Sequence, residues 1–115
     1  MDGSETCNLA DRACVPCRGG MPPLKGEAVR DLAVRLPDWE VVEDHHLAKT
    51  FLFPNFKTAL DFVNRVGEVA EREGHHPDLC LSWGRVVAKI HTHKIDGLSE
   101  SDFILAAKMD RVFAG

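Results

Sequence analysis

Four short β-forming stretches come in two pairs, and neither pair is joined by enough chain to cross over a sheet. Residues 39–43 and 47–53 are separated only by the polar Asp44-His45-His46, and residues 79–83 and 86–93 only by Gly84-Arg85. A parallel connection needs about a dozen residues or more, so each pair reads as an antiparallel hairpin. Between the hairpins Phe56, Ala59, Leu60, Val63, Val66, Gly67 and Ala70 recur at helical spacing, with Asn55 as N-cap and Gly74 as the stop. A shorter amphipathic run, Glu27 to Leu36, ends at Pro37. The last begins with the capping-box pattern Ser99-Glu100-Ser101-Asp102 and continues through Phe103, Ile104, Ala107, Met109 and Val112. The order is αββαββα with no long crossover. The expected class is α+β: a four-stranded antiparallel sheet with helices packed on one face.

Length and composition narrow the class of function. A chain of 115 residues and 12.8 kDa, 44% apolar and 28% charged, fits one globular domain. Residues 1–23 form a Cys/Gly/Pro-rich N-terminal segment without periodicity, and 24–115 the single domain. Fourteen Lys plus Arg against 18 Asp plus Glu leave a net charge of −4, without the basic footprint that nucleic acid requires. No apolar run approaches the ~18 residues of a membrane span, and Met-Asp-Gly-Ser-Glu is not an export leader. Cys7, Cys14 and Cys17 crowd the front while Cys80 stands alone, which is no secreted disulfide framework. A reducing cytoplasm is the expected location and free thiols the expected state. The alternative, a metal or redox pair at Cys14-x-x-Cys17, lacks an evident fourth ligand.

Histidine is the informative residue: six occur in three close pairs, His45-His46, His75-His76 and His91-Thr92-His93. Pro77 pushes His76 toward an extended backbone, where adjacent side chains point to opposite sides, so His75 and His76 should do different work. Glu68, Glu71 and Glu73 crowd the end of the long helix, where the macrodipole disfavours acids. That placement makes sense if Glu71, one turn before His75, holds an imidazole or a polar ligand; otherwise it is a solvated helix end. His91 and His93 are expected on one strand face beside Lys89, as an acid–base pair or as a plain polar surface. Asp102 completes a capping box whatever else it does, and Trp83 could simply stiffen a hairpin. His45-His46 reads as a solvated turn. Neither His-His-Pro nor His-x-His matches a familiar zinc site, so no metal is expected at the histidines.

Taken together the residues carry a resemblance. Glu71, three residues, His75-His76-Pro77, five residues, Trp83, nine residues, His93, eight residues and Asp102 resembles the signature of the pterin-4a-carbinolamine dehydratases. Thr92-His93, Gly97-Leu98-Ser99, Asn55-Phe56-Lys57 and Ala59-Leu60 extend the likeness, which covers about residues 24–114. It implies an αββαββα hydro-lyase that removes water from 4a-hydroxytetrahydropterin to give quinonoid dihydropterin, recycling the pterin of aromatic amino-acid hydroxylases without metal or cofactor. By position, His75 and His93 would be the acid and base, assisted by Asp102. His76 would bind the pterin, with Glu71 and Trp83 as further substrate-binding residues. The likeness also implies a homodimer joined edge to edge, or a tetramer. Animal members double as dimerisation cofactors of a transcription factor, so a non-catalytic adaptor is the alternative.

Overall fold

The computed structural model describes residues 9–14 and 21–115. Cys7 and Cys17, with the thiol reading attached to them, lie outside the described residues. The elements are α1 (Glu27–Ala33), β1 (Glu40–Val42), β2 (His46–Leu52), α2 (Phe56–Glu73), β3 (Asp78–Ser82), β4 (Arg85–Ile90) and α3 (Glu100–Ala114). Single 3-10 turns form at Leu9–Asp11 and His93–Ile95. This is the expected αββαββα order. The local signals hold as well: Asn55 Oδ1 accepts the Thr58 N–H at 2.9 Å, and Gly74 closes α2 in the left-handed region at φ 68°.

The four strands pair antiparallel in the order β1-β2-β4-β3. That order corrects the expectation of no long crossover. The α2 helix, roughly 27 Å long, carries the chain past one vacant strand position, and β4 then returns into the gap. The result gives the apolar β4 a partner on both edges and leaves β1 and β3 as the rims.

Strand alternation decides which face is the core. Leu47 and Phe51 of β2 register with Ile90 and Val86 of β4, and all four are buried together with Ala88. Against this face pack Ala59, Phe62, Val66 and Val69 of α2 and Phe103, Ile104, Leu105 and Met109 of α3. The opposite face carries the exposed Thr50, Leu52, Cys80, Arg85 and Lys89. Lys49 sits on the core face, its ammonium 2.7 Å from Asp110 and 4.6 Å from the centre of the Phe51 ring.

Part of the N-terminal segment joins this domain. Leu9 and Ala10 are buried in the core cluster. Lys108 donates to the Ala10 carbonyl at 2.9 Å, Arg111 meets Asp11 at 2.9 Å and Arg12 meets Glu100 at 2.8 Å. The Cys14 N–H donates to Glu73 Oε1 at 2.9 Å, so this strap ties the end of α2 to the start of α3.

Candidate active site

Three element ends converge at one end of the sheet. Gly74 turns the chain off α2 in a left-handed conformation that favours glycine, and His75 follows immediately. The start of α3 supplies Asp102, and the exit of β4 supplies His91-Thr92-His93. His75 Nε2 donates to Asp102 Oδ1 at 2.5 Å, and Asp102 is completely buried. Its second oxygen accepts from Thr92 Oγ1 and from the Ser99 N–H, both at 2.8 Å. Asp102 thus serves two partners: Oδ2 closes the capping box while Oδ1 meets the His75 imidazole. Thr92, named from the sequence only as a neighbour of the histidines and given no role there, is buried against this carboxylate.

Neighbouring His76 behaves differently. Its Nε2 donates to Glu71 Oε2 at 2.6 Å with both side chains largely in water. His75, His76, His91, His93 and Lys94 line a cavity of about 300 Å³. A wider groove of about 590 Å³ opens beyond Glu71 and His76, between α2 and β3.

Two expectations are corrected at the β4 exit. The strand ends at Ile90, because Thr92 and Gly97 pair with each other through an N–H to carbonyl bond of 2.8 Å and draw the chain into a tight loop. His91 and His93 therefore leave the sheet instead of sharing a strand face, yet their rings still touch, tilted by 37° with centroids 4.1 Å apart. A Cβ on Gly97 would come within 2.6 Å of Pro23, so glycine is what lets the chain entering the domain press on this loop. His45 is not simply solvated: its ring lies 4.8 Å from His91 and its Nε2 is 2.8 Å from Asp96 Oδ1. Burial, reinforced by the nearby His93 and His45 rings, holds His91 below the usual imidazole range. Burial also lowers His46, helped by His45.

Trp83 is not brought to the cavity. It is 68% exposed in the β3–β4 turn, whose Gly84 carbonyl accepts from Phe53 N–H at 2.9 Å. That turn lies at the other end of β4, roughly 20 Å away at ~3.3 Å per residue. Asp78, Thr92 and Lys94 also border the cavity and were not singled out from the sequence.

An imidazole locked to a buried carboxylate, sharing an open cavity with further imidazoles, defines a small-molecule site suited to proton transfer. Comparison with known proteins gives that class its family. The family described as Pterin 4 alpha carbinolamine dehydratase matches residues 22–112. A protein of Rubrobacter xylanophilus named "Putative pterin-4-alpha-carbinolamine dehydratase" is 62% identical over 104 residues, covering 90% of this chain and 97% of its own. One of the same name from Methylococcus capsulatus is 48% identical over 111 residues, covering 96% and 97%. Among solved structures, the transcriptional coactivator/pterin dehydratase of Brucella melitensis superposes with a TM-score of 0.74 at 27% identity, over 78% of this chain and 97% of that one. The chain belongs to the pterin-4a-carbinolamine dehydratase family, a family of hydro-lyases. Among the described residues no helix is long and apolar enough to cross a membrane.

Proposed function

We propose that this protein dehydrates 4a-hydroxytetrahydropterin to quinonoid dihydropterin, with His75 and His93 exchanging the protons. The observation that carries the reading is the cavity-lining His75 held from behind by the buried Asp102. Because Nε2–H is given to Asp102, the neutral ring keeps its lone pair on Nδ1, and the carboxylate stabilises the imidazolium that forms when Nδ1 takes a proton. His75 is thus the base for the proton lost from the ring nitrogen. His93 protonates the departing 4a-hydroxyl, the C4a–O bond breaks, and water leaves as the C=N bond forms. The reaction restores the pterin of an aromatic amino-acid hydroxylase. His76, held at the cavity wall by Glu71, binds the pterin.

The domain acts without metal or cofactor in the cytoplasm, unattached to nucleic acid. Among the described residues no further strand pairs with β1 or β3 at the rims, edges that natural proteins cover or pair, and the family reading supplies a homodimer through an edge, or a tetramer; light scattering distinguishes these from a ~13 kDa monomer. The test of function is a coupled assay in which a phenylalanine hydroxylase generates the carbinolamine and its decay is followed by absorbance. Acceleration by the protein, lost in His75→Ala, is the expected result. No acceleration would leave the adaptor reading ahead.

A further inference from the structure

A second group of side chains sits at the rim of the cavity and has no part in the dehydration chemistry. His45 comes from the β1–β2 turn, His91 lies one residue past β4, and Asp96 follows the His93–Ile95 turn. One ligand-type atom from each lies within 4.8 Å of the other two. We propose that His45, His91 and Asp96 form a binding site for one divalent transition-metal ion of the Zn²⁺ type.

The donor set defines the ion. Two imidazoles and one carboxylate, with room left for water, suit borderline ions such as Zn²⁺, whereas Ca²⁺ and Mg²⁺ demand oxygen ligands. The geometry brings the two imidazoles together, the His45 and His91 rings lying 4.8 Å apart at the mouth of the loop that carries Asp96. A partner also orients His45: its Nδ1 lies 3.1 Å from His46 Nδ1. If His45 gives the Nδ1 proton to His46, Nε2 is left with a lone pair directed at Asp96, 2.8 Å away. The ion then takes the place of the proton that otherwise bridges these two atoms, and His46 supplies the outer contact that metal-bound histidines require.

His91 and Asp96 are also held by one small frame. The loop between them is closed by Thr92 and Gly97, whose N–H to carbonyl bonds measure 2.8 and 3.4 Å, and Asp96 sits in the left-handed region at φ 50°. A competing triple, Asp78, His91 and His93, shares His91. It would consume the proposed proton donor, and among the described residues no neighbour like His46 orients its members.

The test uses the full chain stripped by chelator and titrated with ZnCl₂ by calorimetry, with CoCl₂ as the spectroscopic probe. The expected result is one ion per chain, weakened at least ~10-fold in His45→Ala and in Asp96→Asn. Asp78→Asn should leave the affinity unchanged. Asparagine tolerates the left-handed backbone, so Asp96→Asn keeps the loop intact. The Co²⁺ spectrum should show ligand-field bands without a thiolate charge-transfer band. Zn²⁺ should raise the Tm of the parent chain and not that of His45→Ala, as expected when an ion binds only the folded state. Unchanged Zn²⁺ affinity in His45→Ala, loss of binding in Asp78→Asn, a thiolate band, or no saturable binding would each overturn the proposal. None of these readouts depends on dehydratase activity, so the two readings fail separately.

Discussion

Of the histidine–carboxylate pairs among the described residues, two have almost the same length and begin one residue apart in sequence, yet they are physically different objects. His75–Asp102 spans 2.5 Å with side chains 14% and 0% exposed; His76–Glu71 spans 2.6 Å with 58% and 79% exposed. Water can replace either partner of the second pair, so its net worth is roughly 0–1 kcal/mol. Asp102 has no water to fall back on, and every interaction it makes is strengthened by the low dielectric around it. Truncating a buried pair of this kind costs about 3–5 kcal/mol, much of it the charge left behind. Bond length is therefore a poor guide, and burial decides. In the proposed function the buried pair would fix the imidazole for proton transfer, and the exposed pair would offer an adjustable contact for binding.

The largest effect should come from breaking the buried pair without emptying its space. In Asp102→Asn the amide oxygen can still accept from Thr92 and Ser99 while the NH₂ faces His75 Nε2. His75 must then accept at Nε2 and carry its proton on Nδ1, which removes the base. Turnover should fall by ~10²–10⁴-fold, as in His75→Ala or His93→Ala, with much of the stability retained. Asp102→Ala should lose both, because the Ser99 N–H and the Thr92 hydroxyl lose their shared acceptor. Equal turnover in Asp102→Asn and the parent chain would remove the tautomer argument. The double variant of His75 and His93, if still within about tenfold of the parent, would dismiss general acid–base catalysis by them.

Next in size is a pH effect on the wall behind that pair. The strap places Cys14 Sγ 3.6 Å from the Ser101 carbonyl, beside Asp102. Burial, then the nearby Glu73 carboxylate, raise the Cys14 thiol from 9.0 to about 11. Between those values the unfolded chain has released a proton that the folded chain keeps. Stability from this group is thus full below pH 9 and is lost as pH rises toward 11. The loss is at most about 2–3 kcal/mol, reduced by solvent at this half-buried site. Cys14→Ala should flatten the alkaline limb of Tm against pH. At the acid end, His46 and His91 lie below their ordinary 6.5. Unfolding binds protons there, so stability should decline as pH falls below 6.5, and His91→Gln should reduce that slope.

A smaller effect belongs to the exposed pair. His76→Ala removes a contact made alike to substrate and transition state, so KM should rise about 2–10-fold with kcat little changed. Glu71→Gln should do less, since water can take the place of the carboxylate. A kcat loss in His76→Ala as large as that in His75→Ala would erase the distinction between the pairs.

What was readable in advance follows the range of the forces involved. The caps at Asn55, Gly74 and Ser99 depend on residues within one turn of themselves, and each was legible. The histidine set and Asp102 could be named because their spacing resembles the family signature; on spacing alone a solvated helix end, a polar strand face and a plain helix cap read equally well. Strand order could not be read, since pairing β2 with β4 sets Leu47 against Ile90, forty-three positions away. His45 and Asp96 are 51 residues apart, and no periodicity links them. The Leu9–Cys14 strap is too short to show a period, so its burial emerges only from the α3 surface it covers. The end of β4 was misjudged because Ile90, Thr92 and their neighbours alternate well enough for a strand, while the Thr92–Gly97 pairing that bends the chain is a property of the loop.

The smallest expected effect tests whether one chain holds the whole site. Trp83 shares the family spacing with the histidines, yet in the fold it lies exposed at the opposite end of β4, across a turn that Phe53 anchors. An aromatic ring stacked on a pterin contributes roughly 0.5–1.5 kcal/mol beyond its buried area, which would appear as a clear change in KM. A ring that only shields the Gly84 turn would not. Trp83→Ala should therefore leave KM and kcat within about twofold, since none of its atoms borders the cavity, and should cost a modest part of the hairpin's stability. A large rise in KM without loss of fold would mean that Trp83 reaches substrate bound to another copy of the chain. The contrast between a buried pair and an exposed pair would then have to be redrawn with the second copy in place.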